Sequence, residues 1–521
     1  MDFKRNNEII VRNKMKKYNK YDVFDLMYFL SLFQMEFLCN YNNIEYIRKH
    51  SYTFPWLHEE IAMYKLLNEA NNGYVRLISF DEIKKFRNVI WKEDSAHEIL
   101  LSVKEYLPEY LNRLLPSLVE KQKGYRFNFE YFLVKTYYMF NANDLVSKEF
   151  QKKFKANYYS FFRIIVNYYF SLVNLYIEYG NIDIKTSIKT SEFFEKFSKI
   201  NEDLVKSLPF LESLTIDIED YRKKQLSLLE KTNWDFYNCF NYIRCKPIIR
   251  IDEFIACPLP QVLVKAYMFY IYNEFTYGSN EKRELLGKEY EKYIYTILKN
   301  TEHKESVQSE ISYLGKKSSD VVLFSSEEIL FIECKFKSIP FDYRNIENLT
   351  KKEDLIIEYA SALNQIVTNF DDLNSNKIPE LPKDILSDNI FGIVLIQEMA
   401  NIPKSEIVDY YFENYESINY EKDFIMKHIH FVEDVFFQDY VLNENYDFFK
   451  ILHEYLLKDN SNDILELSSY PKKENTWVRN IADKIYEEMF KWIMYVHKKI
   501  KNLCMFTFYA KKIIHFKVVN K

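Results

Sequence analysis

The sequence predicts a multidomain protein. A large all-α N-terminal region covers 1–278, an α/β domain with a mixed central sheet covers 279–440, and a helical segment covers 441–521. Three observations carry that division. Gly and Pro number only 7 and 12 in 521 residues, as expected of a mostly helical chain. Four of the seven glycines (278, 287, 315 and 392) cluster in the middle of the chain. Within that cluster, residues 318–337 read SSDVVLFSSEEILFIECKFK, two apolar runs around a polar break, the pattern of a strand pair. A chain of this length exceeds one ordinary core, so two or three domains are expected.

From about 20 to 275 the pattern is helical throughout. Asp22 to Cys39 is apolar but broken by Asp25, Gln34 and Glu36, as in a core helix, and Asn72-Gly73, Lys123-Gly124 and Tyr179-Gly180 punctuate the helical stretches after it. The stretch 161–180 is the most membrane-like. There Arg163, Asn167, Ser171, Asn174 and Glu178 recur at helical spacing as one polar stripe, so it reads as a buried helix of a soluble protein. The aromatic run over 130–180 reads as core packing rather than a stacking surface for single strands. Cys257-Pro258-Leu259-Pro260 opens another aromatic helix ending near Tyr277-Gly278.

Past Gly278 the texture changes. Glu284–Leu298 reads as a helix, Ser318–Phe324 and Ile329–Lys337 as two strands, and Lys351–Phe370 as a helix. Ile390–Ile396 (IFGIVLI) reads as a buried strand, and His430–Phe437 as a further one. A long amphipathic helix lies over 481–501, within the helical C-terminal segment.

Composition excludes several classes. The net charge of −5 makes the chain no polycation, so nucleic acid would be met only by local patches. Two candidates are the N-terminal cluster Lys4, Arg5, Arg12, Lys14, Lys16, Lys17 and Lys20, and the tail from Met489 to Lys521, with eight lysines and no acid; a solvated helix face explains either as well. The six cysteines form no CxxC pair, which argues against zinc and suits a reducing cytoplasm. The N-terminus lacks the apolar core of a signal peptide, and no phosphate-binding GxxxxGK[ST] or GxGxxG loop and no GxSxG occur. His428 and His430 have metal-like spacing but no evident third ligand.

The strand pair carries the chemistry. With Ser325-Ser326-Glu327-Glu328 as the break, either a two-residue or a four-residue loop sets Phe324 opposite Ile329 and Asp320 opposite Glu333. Opposed residues share a face, about 4.5–5.5 Å apart at Cβ. Two carboxylates so close repel unless a cation lies between them, and a hard divalent ion such as Mg²⁺ suits oxygen donors. Alternation puts Lys335 and Lys337 on the face of Glu333, and Ile332, Cys334 and Phe336 on the other. Lys335 is placed to orient a metal-bound water or to stabilise charge as a phosphodiester breaks. Lys337 reads as an ordinary strand-end lysine.

Asp320, then Glu333-x-Lys335 at the tail of the next strand, resembles the PD-(D/E)xK nuclease superfamily, of restriction-endonuclease-like fold. The resemblance covers about 280–400. Gly287, Tyr290, Glu291 and Tyr293 match the glycine–aromatic–glutamate pattern of that superfamily's preceding helix, which implies Glu291 as a third metal carboxylate, with Glu289 second choice. Ser319 stands where the motif has proline, and Gln365 matches the superfamily's Gln-x-x-x-Tyr pattern poorly, since Phe370 follows Asn369, so Gln365 reads as structural. The resemblance implies a Mg²⁺-dependent nuclease, Mn²⁺ substituting, acting on nucleic acid with DNA favoured over RNA; a cytoplasmic protein without a membrane anchor, as a homo-oligomer or with a partner subunit, is the expected setting. A nuclease joined to a large helical region without its own ATPase resembles microbial anti-phage defence effectors. The alternatives are a silent nuclease fold that binds nucleic acid or protein, and a helical scaffold in which the hairpin is incidental.

Overall fold

The computed structural model describes residues 129–163, 209–231, 241–251, 254–256, 259–300, 307–337, 349–398, 402–415, 419–434 and 476–499, with nine further single positions at 62, 63, 66, 67, 437, 449, 450, 452 and 453. The N-terminal basic cluster, the helix expected from Asp22, most of 161–180 and the tail past 499 lie outside them. Among the described residues no helix is long and apolar enough to cross a membrane.

A mixed sheet of five strands occupies the middle of the chain, in the order β10-β9-β8-β7-β4. Three strands form an antiparallel meander: β4 (Val307–Ser309), β7 (Val321–Phe324) and β8 (Ile329–Lys335). From β8 the chain crosses over through a long helix, α6 (Leu349–Asn374), into β9 (Ile390–Ile396), which runs parallel to β8. Two shorter helices, α7 (Lys404–Asn414) and α8 (Lys422–His428), then lead to β10 (Ile429–Glu433), parallel to β9. Helical crossovers are what parallel neighbours require. β9 is buried at all seven positions, which is why its sequence is an unbroken apolar run rather than an alternating one.

One face of the sheet packs on α6, where Val322, Phe331 and Val394 meet Leu363, Ile366 and Phe370 in a continuous core. The approach is close at Gly392. A Cβ built there would lie 2.5 Å from Ile366 Cγ2, so only glycine admits the helix at this distance. The other face packs on α5 (Asn280–Lys299), whose Leu286, Tyr290, Tyr293, Ile294 and Ile297 are buried at helical spacing. Ser279 caps α5, its Oγ accepting from the Lys282 N–H at 3.2 Å.

The N-terminal region is not all helix, and the expectation for 1–278 is corrected in that respect. Helices α1 (Phe129–Phe140), α2 (Asp144–Phe154), α3 (Ile218–Lys231) and α4 (Pro260–Thr276) are present, but a three-stranded sheet joins them. It comprises β1 (Thr215–Asp217), β2 (Ile248–Ile251) and β3 (Phe254–Ala256), with β1 parallel to β2 and β2 antiparallel to β3. The run Ile248-Ile249-Arg250-Ile251 is β-branched and suits a strand, yet strands of three and four residues leave no readable period.

The aromatic wealth of α1, α2 and α4 is core, as expected. Phe140, Phe150, Phe161 and Tyr267 are fully buried and pack ring to ring, with Phe150 and Phe161 centroids 5.2 Å apart. The same helices reach the five-stranded sheet. Phe336, just past β8, lies 5.1 Å from the Tyr272 ring on α4 and 5.3 Å from Tyr290 on α5. Asp434, just past β10 and 2% exposed, takes Lys135 Nζ of α1 at 2.5 Å and Tyr290 OH at 2.9 Å. The final helix α9 (Thr476–Lys499) packs on α1, with Trp477 against Tyr138.

Candidate active site

The register of β7 on β8 positions the site. Val321 pairs with Ile332 and Phe324 with Ile329, and the Ser325 N–H donates to Glu328 O at 2.9 Å, closing a turn with Ser326-Glu327 at its tip. Continued one residue outward, that register brings Asp320 to Glu333. Asp320 Oδ2 accepts the Cys334 N–H at 2.7 Å, which fixes the carboxylate against β8. Lys335, two residues beyond Glu333 and so on its face, donates to Glu333 Oε1 at 2.9 Å. Phe336 and the buried Cys334 turn to the opposite face, toward α5.

Glu291, half-buried on α5, belongs to the same electrostatic cluster. Its carboxyl is pushed up to about 7 by burial first and then by the charges of Asp320 and Glu310, with Lys335 pulling the other way. Glu333 is likewise pushed up to about 7 by burial and by Asp320, against the pull of Lys335. Burial raises Asp320 as well, opposed by the Cys334 N–H and by Lys335. Asp320 and Glu333 thus lie beside the Lys335 ammonium, Glu291 feels the Asp320 charge, and each of the three carboxyls holds its proton more tightly than an exposed one does. Burial is the larger cause in each case, and neighbouring carboxylates add to it.

Among the described residues no three His, Cys, Asp or Glu side chains stand so that they could hold a metal ion, and Glu333 instead shares an oxygen with Lys335. The donor chemistry would suit a hard divalent cation: Asp320, Glu333 and Glu291 offer carboxylate oxygens and no thiol or imidazole. Glu289, the second choice on α5, faces elsewhere. It is buried and accepts Asn143 Nδ2 and Lys292 Nζ, each at 2.8 Å, where Asn143 caps α2. Its role is to hold α5 against α2.

The opposite wall is α6. Gln365 Oε1 accepts Lys335 Nζ at 3.0 Å, so the residue read as structural from sequence meets the lysine at the end of β8. One turn on, Asn369 Nδ2 donates to Ser319 Oγ at 2.9 Å, holding the residue before Asp320. A further turn on, Asp372 is gripped by Lys316, Lys377 and Tyr313. Spaced at i, i+4 and i+7, these three polar residues mark one stripe of an otherwise apolar helix face, the sequence signal that could have drawn attention to Gln365. Glu310, paired with Lys317 at 2.8 Å, adds an acid near the site that no motif marks.

Lys337 pairs with Glu358 of α6, and burial lowers its affinity for a proton. It therefore lies beside the helix as a packed strand-end lysine. His428 and His430 are buried in the core: His428 stacks on Phe424 at 4.0 Å with Nδ1 3.0 Å from Ile390 O, and burial holds both rings toward the neutral form.

Comparison with family models, with curated proteins and with solved structures finds no match to this chain.

Proposed function

We propose that the chain is a metal-dependent nuclease that hydrolyses phosphodiester bonds of nucleic acid, with DNA the favoured substrate and Mg²⁺ the favoured ion, Mn²⁺ serving in its place. The observation that carries this reading is the meeting of Asp320 and Glu333 across β7 and β8 with Lys335 two residues on. The element order supports it: helix α5, an antiparallel meander, crossover helix α6, then parallel β9, the arrangement expected of the restriction-endonuclease-like fold that the sequence resembles.

Each residue has a part. Asp320, Glu333 and Glu291 would hold the cation, which when bound supplies Lewis acidity and an acidified water. Lys335, held here by Glu333 and Gln365, would orient the attacking water or face the charge that develops on phosphate oxygen. Gln365 would keep Lys335 aimed. The Cys334 N–H fixes the Asp320 carboxylate against β8.

The experiment is cleavage of plasmid, linear duplex, single-stranded DNA and RNA by the full chain with Mg²⁺, Mn²⁺ or EDTA. Glu333→Ala and Lys335→Ala are run beside wild type. Metal-dependent cutting abolished by both substitutions is the expected result. Absence of cutting under all conditions, together with no Mn²⁺ binding by calorimetry, overturns the reading.

A further inference from the structure

Between β4 and the site lies a small hairpin, β5 (Ser312–Tyr313) and β6 (Lys316–Lys317), turned by Leu314-Gly315. Both turn residues have positive φ, Leu314 at 46° and Gly315 at 78°. Two-residue hairpin turns of this kind take Asn or Gly at the first central position, because a Cβ there crowds the following carbonyl. Here the position holds leucine. The same leucine is 78% exposed, among the most exposed large apolar side chains of the described residues. Folding favours neither property, and the two coincide on one residue.

The hairpin is braced. Tyr313 is buried and donates to Asp372 Oδ2 at 3.0 Å, and Lys316 Nζ reaches the same oxygen at 2.9 Å. Its base is closed by the Ser318 N–H on Ile311 O and by the Ile311 N–H on Ser318 Oγ, both at 2.8 Å. The chain then runs straight into Ser319 and Asp320. An apolar tip on a fixed stalk thus stands six residues before Asp320, with two lysines on β6 at its flank. Lys316 and Lys317 remain about half and two-thirds exposed despite their pairs with Asp372 and Glu310. Asp372 is buried and holds Lys316 as a brace, but Glu310 is exposed, and an exposed pair of that kind is worth little, so a phosphate can compete for the Lys317 ammonium.

Resting on the nuclease reading, we infer that Leu314 is a wedge for duplex DNA, entering the minor groove between base pairs while Lys317 meets a flanking phosphate. Leucine is among the side chains that unstack a base step in this way, and the cost of unstacking is offset by the bent duplex lying on more protein surface. The strained turn holds the side chain outward where a relaxed loop would fold it back. Six residues separate Leu314 from Asp320, so the tip lies within roughly 20 Å of the carboxylates. At about 3.4 Å per base pair, the opened step falls within about six base pairs of the cut.

The test uses the full chain carrying Lys335→Ala, which keeps the carboxylates, and a DNA duplex with 2-aminopurine placed at successive steps, in Mg²⁺. Fluorescence is expected to rise at one step. Adding Leu314→Asn is expected to abolish that rise and to weaken duplex binding about tenfold. Its thermal midpoint should be unchanged or higher, because asparagine accepts positive φ. Equal fluorescence and affinity with and without Leu314, duplex bound with no unstacked step, or no duplex binding at all would each overturn the wedge. So would loss of a self-associated form on gel filtration in Leu314→Asn with duplex binding intact, which would make the tip a protein contact. Wild-type cleavage measured in parallel separates the two ideas. Unstacking with neither cutting nor Mn²⁺ binding sinks the nuclease and keeps the wedge, and cutting without unstacking does the reverse.

Discussion

Gln365 Oε1 and Lys335 Nζ stand 3.0 Å apart, joining the middle of the crossover helix to the last residue of the strand it crosses over from. The lysine is also held by Glu333, so its head group is fixed from two sides. In Gln365→Ala one of these holds is gone. We expect kcat on nucleic acid to fall about tenfold with KM changed little, since orientation and not binding is lost. Gln365→Glu is the sharper control: a carboxylate there keeps the contact but competes for Lys335, and should lower the rate without unfolding the chain. Equal kcat in all three proteins would remove Gln365 from the mechanism.

The raised carboxyl groups fix the sign of the pH dependence. Glu333 and Glu291 stand near 7 when folded, against 4.5 for an ordinary glutamate. Between those values the unfolded chain ionises freely while the folded chain keeps its protons. Stability of the metal-free protein therefore falls as pH rises from about 4.5 to about 7, then levels. Added Mg²⁺ should reverse that fall, because it binds the ionised form. Thermal melts across this range with and without Mg²⁺ test the point, and Glu333→Gln should flatten the metal-free curve. Cleavage should rise with pH through about 7 as the same groups give up their protons.

Gly392 is where helix and sheet come closest. Gly392→Ala forces a methyl to within 2.5 Å of Ile366 Cγ2, so α6 must shift or Ile366 must leave its rotamer. A cost of about 1–3 kcal/mol is expected from overpacking. The double variant with Ile366→Ala should lose less than the sum of the two single losses, because each change makes room for the other. Urea denaturation of the four proteins measures this, and strict additivity would mean that the contact is not tight.

Asp434 anchors α1 and α5 at once. Asp434→Ala leaves Lys135 buried without its carboxylate, and the expected loss is about 3–5 kcal/mol. Lys135→Met/Asp434→Leu, which removes both charges, should recover most of that. If the single and double variants unfold at the same denaturant concentration, the pair has no such weight.

How much could be read from sequence depends on the range of the interaction. The Asp320–Glu333 register was legible because a symmetric loop and a period of two fix it within twenty residues. β9 was legible because a strand buried on both faces has no polar position to hide it. The helix ends of α5 and α6 came within a few residues of those expected. The sheet of β1, β2 and β3 was not legible, since its strands are three and four residues long and β1 pairs with a segment some thirty residues away. Gln365 was undervalued because its partner depends on how α6 lies across the sheet, not on its own neighbours. Asp434 gave no sign at all. Its value comes from Lys135 and Tyr290, and no local pattern encodes either meeting.

The Asp434–Lys135 pair also sets a timetable for the newborn chain. The two residues lie 299 positions apart. At about 5–20 residues per second on the ribosome, Lys135 waits roughly 15–60 s for its partner to be made. Through that interval the tyrosine-rich face of α1 has neither β10 nor α9 to cover it, and a cationic side chain destined for the interior must stay in water. The aromatic helices can pack among themselves early, but their seam with the sheet closes only near the end of synthesis. Translation speed and chaperone supply, more than intrinsic stability, would then govern how much of this protein a cell recovers intact.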